Sequence, residues 1–184
     1  LLANNITPIF LKGTGNLLVG IYKDIGERMV GDIDFIFSKE DYPKAITILR
    51  EFGYSEVNKR KYYYPILEDK HYRRLFKDEK HFRRLQKEKN IAAIEIHSEF
   101  LNIKKYTNEF NYKFVDIDSQ VINGFRVLSY ANKLNLSIIA YQINDSGFYY
   151  KKMALRNAYD VFLLSKKTSA KDAVNTLDKL NHPL

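Results

Sequence analysis

The chain has 184 residues, 45% of them hydrophobic, so it can bury a core of its own without a disulfide or a metal staple. It contains no cysteine, which excludes disulfide scaffolds, zinc sites built on thiolates and thiol nucleophiles. The formal net charge of +8 favours polyanionic partners, either nucleic acids or nucleotide phosphates.

The first predicted elements are a strand and a helix that enclose a glycine-rich turn. Residues 8–11 form a short apolar strand, and residues 16–23 carry apolar side chains at helical spacing. The turn between them has the sequence Lys12-Gly13-Thr14-Gly15. Glycines before a helix let backbone N–H groups approach a phosphate closely, and the lysine or the threonine hydroxyl can add a contact. An ordinary glycine loop has the same signature, and the Gly-Lys-Ser/Thr ending of a Walker A loop is absent.

The second predicted strand, residues 32–37, carries two acidic side chains. Residues two apart in a strand share a face, so Asp32 and Asp34 point one way while Ile33 and Phe35 point into the core. Neighbouring carboxylates repel each other, and the pKa of one rises unless a positive charge lies between them. Mg²⁺ supplies such a charge, because it binds carboxylate oxygens together with substrate phosphates. A solvated strand start after Gly31 would explain the pair without a metal.

A helix and a short strand are predicted next. Ser38 or Asp41 can cap a helix that carries apolar residues between positions 45 and 52 and ends at Gly53. Residues 54–57 then have the character of a short strand.

A strongly basic segment runs from Lys59 to Lys89. It contains twelve Lys and Arg against five Asp and Glu, and therefore carries +7 of the net charge of +8. Tyrosines, histidines and phenylalanines are interleaved with the charges, so the segment offers both phosphate donors and ring faces for stacking. A nucleic-acid surface and a solvated basic face with aromatic side chains packed inward are both compatible with this composition.

Another core strand is predicted at residues 91–97, after a turn at residues 87–90 and with residues 81–86 as its hairpin partner. It places Glu95 between two isoleucines, on the same face as His97. A lone acid in an apolar strand is costly unless it is paired or binds a ligand, so we expect Glu95 to be a third carboxylate of the site. The alternatives are Glu99, just past the strand, and a structural Glu95 paired with a nearby arginine. We expect His97 to hydrogen-bond to a residue of the site without binding the metal itself.

The remainder of the chain is predicted to be mainly helical. A second Asp-Ile-Asp triplet at residues 116–118 has no glycine turn before it, and we interpret it as an edge strand or a turn. Ser129 can cap a helix at residues 130–142, and further helices are predicted at residues 148–165 and 170–180. The sequence thus predicts an α+β fold, with a mixed β-sheet flanked by helices in residues 1–120 and a helical C-terminal part in residues 121–184.

The order of these motifs resembles a known superfamily. A strand followed by Lys-Gly-Thr-Gly and a helix, then Arg-x-x-Gly-Asp-Ile-Asp and a later Ile-Glu-Ile-His, looks like the nucleotidyltransferase superfamily that includes DNA polymerase beta. The segments LKG, DIDFIF, FGY and IEIH are similar to the uncharacterised bacterial nucleotidyltransferase family, and also to nucleotidyltransferase toxins of the abortive-infection type. The resemblance covers residues 9–97 well and residues 128–164 less closely.

The resemblance implies a role for each matching residue. The implied catalytic residues and ligands of Mg²⁺ or Mn²⁺ are Asp32, Asp34 and Glu95, of which Glu95 would also help to deprotonate the acceptor hydroxyl. The implied nucleotide-binding residues are Lys12, Gly13, Thr14, Arg28 and Lys133.

The implied activity is Mg²⁺-dependent transfer of a nucleoside monophosphate from an NTP to an acceptor hydroxyl. The basic segment favours RNA such as tRNA as the acceptor, in a toxin-like role with a neutralising antitoxin protein as a candidate partner. Two alternatives stay open. One is a small-molecule nucleotidyltransferase, for which the basic segment is incidental, and the other is an inactive RNA-binding module.

The expected location is the cytoplasm. No apolar run approaches the roughly 20 residues that cross a bilayer, so no membrane partner is expected. The lack of cysteine fits a reducing compartment. Because the chain begins Leu1-Leu2 without an initiator methionine, we expect further residues upstream.

Overall fold

A computed structural model describes residues 1–56 and 82–180 of the chain. Most of the basic segment, residues 59–81, lies outside the described residues, as do residues 57–58 and 181–184. The predicted nucleic-acid surface on that segment is therefore a prediction that the structure does not address.

Within residues 1–56 and 82–180, seven strands form one mixed sheet in the spatial order β3-β4-β5-β2-β1-β7-β6. The strands are β1 (Ile9–Phe10), β2 (Asp32–Ile36), β3 (Tyr54–Glu56), β4 (Phe82–Lys87), β5 (Ala93–His97), β6 (Gln120–Ile122) and β7 (Phe125–Val127). Strand β2 pairs in parallel with β5 and antiparallel with β1, whereas β1 and β7 are parallel to each other. The predicted hairpin is confirmed, because β4 and β5 are antiparallel neighbours.

The helices lie between and after these strands. They are α1 (Lys12–Leu18), α2 (Asp41–Glu51), α3 (Tyr112–Asp116), α4 (Tyr130–Ile139), α5 (Gly147–Tyr150), α6 (Leu155–Ser165) and α7 (Ala170–Asp178), with a π-helical turn at Ala140–Asn144. Short 3₁₀ helices occupy Leu2–Asn4, Ile25–Glu27 and Lys104–Tyr106. The predicted α+β class, a mixed sheet with helices, is confirmed. Within the described part of the chain, no helix is long and apolar enough to cross a bilayer.

The capping residues expected from the sequence act as predicted at two helices. The Ser38 hydroxyl accepts a hydrogen bond from the Asp41 backbone N–H at the start of α2. After the end of that helix, Gly53 has a φ of +86°, a conformation that glycine adopts at little cost. Ser129 accepts from the Asn132 backbone N–H and caps α4. These local signals fix where α2 and α4 begin.

The two faces of the sheet pack against different helices, and the acidic residues lie on the face opposite α2. One core cluster joins Phe35 and Phe37 of the β2 segment to Ala45, Ile46 and Leu49 of α2. Alternation along β2 therefore directs Asp32 and Asp34 to the opposite face. On that second face, a core cluster joins buried strand residues to helix α4 and includes Ile9, Ile36, Leu136 and Ile139.

Two predicted elements need correction, and for a third the structure decides between two alternatives. Helix α1 covers Lys12–Leu18 rather than residues 16–23, so the glycines predicted to form a turn lie inside the helix. The single helix predicted at residues 148–165 is two helices, α5 and α6, separated at Lys151, whose φ of +51° is left-handed and incompatible with a continuous helix. For the second Asp-Ile-Asp triplet the structure agrees with a turn and not with an edge strand, since residues 117–118 form a turn directly after Asp116, the last residue of α3.

The predicted domain boundary at residue 120 falls at the start of β6, within the sheet. Strands β6 and β7 follow it, and β7 joins the sheet beside β1 through the pair Phe10 and Val127. The helical part then begins at Tyr130. A division into residues 1–120 and 121–184 stays a proposal about domain organisation.

Candidate active site

The register of two parallel strands brings the predicted acids together. Asp34 of β2 is the direct partner of Glu95 of β5, and Asp32 lies two pairs further along, opposite Ala93. Residues two apart share a face, so Asp32, Asp34 and Glu95 all lie on the face away from α2. Asp34 and Glu95 are buried, while Asp32 is half-buried. The structure thus assembles the three carboxylates that the sequence predicted.

Asp34 is held by two side chains. Lys12 Nζ lies 2.6 Å from Asp34 Oδ1, and His97 Nε2 lies 2.9 Å from the same oxygen. Burial acts to raise the pKa of Asp34, but the hydrogen bond from His97 and the charge of Lys12 lower that pKa to about 2. Because an ionised carboxylate only accepts, the Nε2 of His97 carries the hydrogen of this bond. His97 therefore orients Asp34, as the sequence predicted.

The imidazole of His97 stays neutral at physiological pH. Its burial and the nearby Lys12 charge both lower its pKa from the usual value of 6.5, against the opposing effect of Asp34. A neutral ring that donates through Nε2 fixes the position of one Asp34 oxygen without adding a formal charge to the site.

Glu95 has the opposite electrostatic character to Asp34. Burial and then the neighbouring Asp34 charge raise the pKa of Glu95 to about 8. Its two oxygens face different cations: Oε2 lies 3.9 Å from Lys12 Nζ, and Oε1 accepts a hydrogen bond of 3.1 Å from Arg84 Nη1. At neutral pH this carboxyl is therefore mostly protonated, and a metal cation beside it would favour the ionised form that a general base requires.

Lys12 lies among the acids. Its φ of +48° is left-handed, which is uncommon for a residue with a side chain and marks a locally strained backbone. Burial acts to lower the pKa of Lys12, but the charge of Asp34 and the hydrogen bond to it raise that pKa above its usual value of 10.5. The ammonium group therefore stays charged beside the carboxylates.

The first turn of α1 packs tightly against the sheet. A side chain at Gly15 would place its Cβ 2.7 Å from the Phe10 carbonyl oxygen, and one at Gly13 would lie 3.0 Å from Arg28 Nη2. The Thr14 hydroxyl donates to the Asp32 carbonyl oxygen at 3.3 Å. Glycines at these positions bring the helix and its backbone N–H groups next to the acids, as the phosphate-binding hypothesis requires.

Arg28 lies beside the first turn of α1, and contacts on its other side hold it in place. Its Nε donates to Asp160 Oδ2 at 3.2 Å, and its Nη1 donates to the Met29 carbonyl oxygen. Asp160 is buried on α6 and also accepts a hydrogen bond of 2.7 Å from the Tyr22 hydroxyl. The remaining nitrogen, Nη2, lies over Gly13. This arrangement directs one edge of the guanidinium towards the first turn of α1.

Lys133 reaches the same region from α4. Its side chain is buried, its Nζ donates to the Leu128 carbonyl oxygen, and its Cε lies 4.0 Å from the Cβ position of Gly15. Burial lowers its pKa to about 7. All five residues predicted to bind nucleotide thus border the start of α1 or the acids beside it, while their contacts with a nucleotide stay a proposal.

Two competing assignments from the sequence are not part of this cluster. Asp116 pairs with Arg126 at 2.6 Å, and Asp118 accepts hydrogen bonds from Ser129 and Asn132. The second Asp-Ile-Asp triplet therefore anchors β7 and the start of α4. Glu99 pairs with Lys39 at 3.6 Å.

Sequence reasoning did not single out Arg84, which belongs to the site. Its Nη1 donates to Asp32 Oδ2 and Glu95 Oε1, each at 3.1 Å. A signal was present, because Arg83 and Arg84 are adjacent in a predicted strand and must point to opposite faces of the sheet. Once β4 pairs with β5, one of the two arginines has to face Glu95.

The donor set fits a divalent cation. Asp34, Glu95 and His97 each offer one ligand atom within 4.8 Å of the others. Since His97 already bonds to Asp34, and oxygen is the donor that Mg²⁺ prefers, Asp32 is the more suitable third ligand.

The chain is similar to known nucleotidyltransferases in sequence profile and in fold. Residues 1–183 match a family model described as an uncharacterised nucleotidyltransferase, whereas no curated protein matches. A solution structure of the antibiotic-resistance factor ANT(2'')-Ia is similar with a TM-score of 0.58 and 10% identity, over 97% of this chain and 84% of that chain. A crystal structure of ANT(2'')-Ia in complex with adenylyl-2''-tobramycin gives a TM-score of 0.57 and 10% identity, over 97% and 89%. At this identity the likeness concerns the fold.

Proposed function

We propose that this chain, which belongs to the uncharacterised nucleotidyltransferase family, transfers a nucleoside monophosphate from an NTP to a hydroxyl group of a small molecule. The observation that carries this proposal is the pairing of Asp34 with Glu95 on adjacent strands, with Asp32 on the same face. Mg²⁺ or Mn²⁺ held by Asp32, Asp34 and Glu95 would neutralise the negative charge that develops on the phosphates. Family membership agrees with the resemblance found in the sequence.

The chemistry assigned to the protein side chains follows from their positions. The acceptor hydroxyl gives its proton to Glu95, its oxygen bonds to the α-phosphorus, and the bond to the β-phosphate breaks with release of pyrophosphate. Lys12 keeps a positive charge beside the transferring group, while Arg28 and Lys133 border the first turn of α1, where the other phosphates would lie. His97 holds Asp34 in one orientation during this transfer.

A small-molecule acceptor is favoured by the structural likeness. Adenylyl-2''-tobramycin, which is bound in one of the two similar structures, is a small molecule that carries an adenylyl group, and the fold of this chain is similar to that structure with a TM-score of 0.57. By the same analogy we propose ATP as the donor. Acceptor and donor are both proposals from fold similarity.

RNA remains the second candidate acceptor, on the single observation that the segment from Lys59 to Lys89 carries +7 of the net charge. Neither similar structure is described as a toxin or as acting on RNA. The toxin-like role, the antitoxin partner and the inactive RNA-binding module rest on the sequence alone.

One experiment separates these possibilities. The purified protein is incubated with Mg²⁺ and each α-labelled NTP, in one series with tobramycin and related amino sugars and in another with total tRNA. Label on a small molecule, lost in Asp34→Asn, would support the proposal and identify the nucleotide. Label on RNA would favour the second candidate.

Asp116→Asn is the matched control, because Asp116 belongs to an identical Asp-Ile-Asp triplet away from the site. We expect this variant to retain the transfer activity of the parent. No transfer to either class of acceptor, with NTP hydrolysis also absent, would contradict the proposed activity.

A further inference from the structure

Arg84 links two of the acids proposed to bind a metal. It lies on β4 directly opposite Glu95, and its single nitrogen Nη1 donates to Asp32 Oδ2 and Glu95 Oε1 at 3.1 Å each. Asp32 and Glu95 come from different strands, β2 and β5, so the guanidinium bridges across the sheet. Arg84 thus supplies these two carboxylates with the positive charge that a bound metal ion would otherwise provide.

Among the described residues, two side-chain cations, Lys12 and Arg84, contact the oxygens of this cluster. Lys12 faces Asp34 Oδ1 and Glu95 Oε2, while Arg84 faces Asp32 Oδ2 and Glu95 Oε1. A divalent cation that bound both Asp32 and Glu95 would share these two carboxylates with Arg84. It would also add two positive charges close to the guanidinium, and like charges at such separations repel.

We propose that Arg84 is a positioning residue of the metal site, which holds Asp32 and Glu95 together through its charge and competes with the divalent cation for their oxygens. This inference rests on the proposed function, because it requires Asp32 and Glu95 to be metal ligands. Metal binding then releases the Arg84 guanidinium from at least one of the two carboxylates. Arg84 is thus assigned to the acids and makes no proposed contact with the reacting atoms.

The first test measures Mn²⁺ binding without nucleotide, by the electron paramagnetic resonance signal of free Mn²⁺. Arg84→Gln removes the competing charge and keeps a polar side chain, so we expect Mn²⁺ to bind roughly tenfold more tightly than to the parent. The unfolding temperature without metal should fall, because two carboxylates lose their partner. A purely structural arginine would lower the unfolding temperature and leave the Mn²⁺ affinity unchanged or weakened, and that result would overturn the proposal.

Arg83→Gln is the matched control. Arg83 is the neighbouring residue on β4, points to the opposite face and pairs with Glu56 at 3.2 Å. We expect its Mn²⁺ affinity to equal that of the parent. An equal increase in both variants would show a general effect of net charge and would contradict a specific role for Arg84.

A second measurement leaves Arg84 in place, so it stands even if Arg84→Gln does not fold. In protein labelled with ¹⁵N-arginine, the Nε–Hε resonance of Arg84 is identified by its loss in Arg84→Lys. Addition of Mg²⁺ should shift this resonance more than that of Arg83. An unmoved Arg84 signal, at Mg²⁺ concentrations that shift other resonances of the site, would refute the release from the carboxylates.

The two proposals can fail separately. If the parent binds Mn²⁺ and Asp34→Asn does not, the metal site stands, and only the Arg84 comparison decides the inference. If neither the parent nor Arg84→Gln binds Mn²⁺, the inference is wrong, while the transfer of labelled nucleotide remains an independent test of the proposed activity.

Discussion

Individual residues in this site differ in charge state because their neighbours differ. Asp34 and Glu95 are adjacent in the sheet and both buried, yet the pKa of Asp34 is lowered to about 2 and that of Glu95 is raised to about 8. Hydrogen bonds from His97 and Lys12 lower the pKa of Asp34 against the effect of its burial, whereas burial and then the charge of Asp34 raise the pKa of Glu95. Asp34 is thus a permanent anion, whereas Glu95 can gain or lose a proton near neutral pH, and the two groups suit different tasks.

Lys133 gives a prediction at the residue scale. Its folded-state pKa of about 7 lies below the usual value of 10.5, so between these pH values the unfolded chain binds more protons than the folded one. The contribution of Lys133 to stability is therefore unfavourable at low pH and improves as pH rises. Lys133→Met should be more stable than the parent at pH 7, and its advantage should shrink by roughly 1.4 kcal/mol per pH unit towards pH 10.

Urea unfolding of both proteins at several pH values measures this effect. Parallel pH profiles of the parent and Lys133→Met would show that Lys133 keeps an ordinary pKa. Under the proposed function, the same variant should also have a higher KM for the NTP, since it lacks the charge that would face the phosphates.

At the scale of elements, the start of α1 depends on glycine. Helix α1 approaches β1 so closely that Gly15 leaves no room for a Cβ beside the Phe10 carbonyl oxygen. This approach brings Lys12 onto Asp34 and places Gly13 under Arg28. The two glycines from which we predicted a turn therefore lie in a helix, where their small size allows close packing against the sheet.

Gly15→Ala tests this packing. The new methyl group would meet a backbone oxygen at 2.7 Å, which cannot rotate away, so we expect a loss of about 1–3 kcal/mol in the free energy of unfolding. Gly31→Ala is the control, because no heavy atom lies within 4 Å of its Cβ position. Denaturant unfolding should show little change for Gly31→Ala. An equally small change for Gly15→Ala would disprove the tight contact.

At the scale of the whole molecule, one buried ion pair joins the sheet to the C-terminal helices. Arg28 precedes β2, Asp160 lies in the middle of α6, and Tyr22 follows α1. Their hydrogen bonds connect segments more than a hundred residues apart in sequence. The position of Arg28 over Gly13 therefore depends on the docking of α6.

Asp160→Ala should be strongly destabilising, because it leaves the mostly buried Arg28 guanidinium without its partner carboxylate. We expect a loss of roughly 3–5 kcal/mol in the free energy of unfolding, against about 1 kcal/mol for Tyr22→Phe, which removes one hydrogen bond. Chemical denaturation of both variants measures the difference. Similar losses in the two variants would mean that the hydrogen bond from Tyr22, and not the ion pair, dominates this connection.

Part of this fold could be predicted from local signals. The alternation in β2, the cap at Ser38, the glycine after α2 and the hairpin of β4 and β5 each depend on residues close in sequence. Errors arose where distant packing decides the backbone. Helix α1 starts four residues earlier than its apolar spacing indicates. The helix predicted at residues 148–165 is interrupted at Lys151, where no glycine or proline signals the interruption.

For the site, the sequence by itself determined the residue types and their order: a glycine-rich helix start, an Asp-x-Asp strand and a later strand with Glu95 and His97. It also determined which faces these side chains share, since alternation is a local property of strands. Only the tertiary structure decided that Asp34 pairs with Glu95, that Arg84 bridges Asp32 and Glu95, and that Asp160 anchors Arg28. Strand register and helix docking bring together residues far apart in the chain, and no local pattern encodes those contacts.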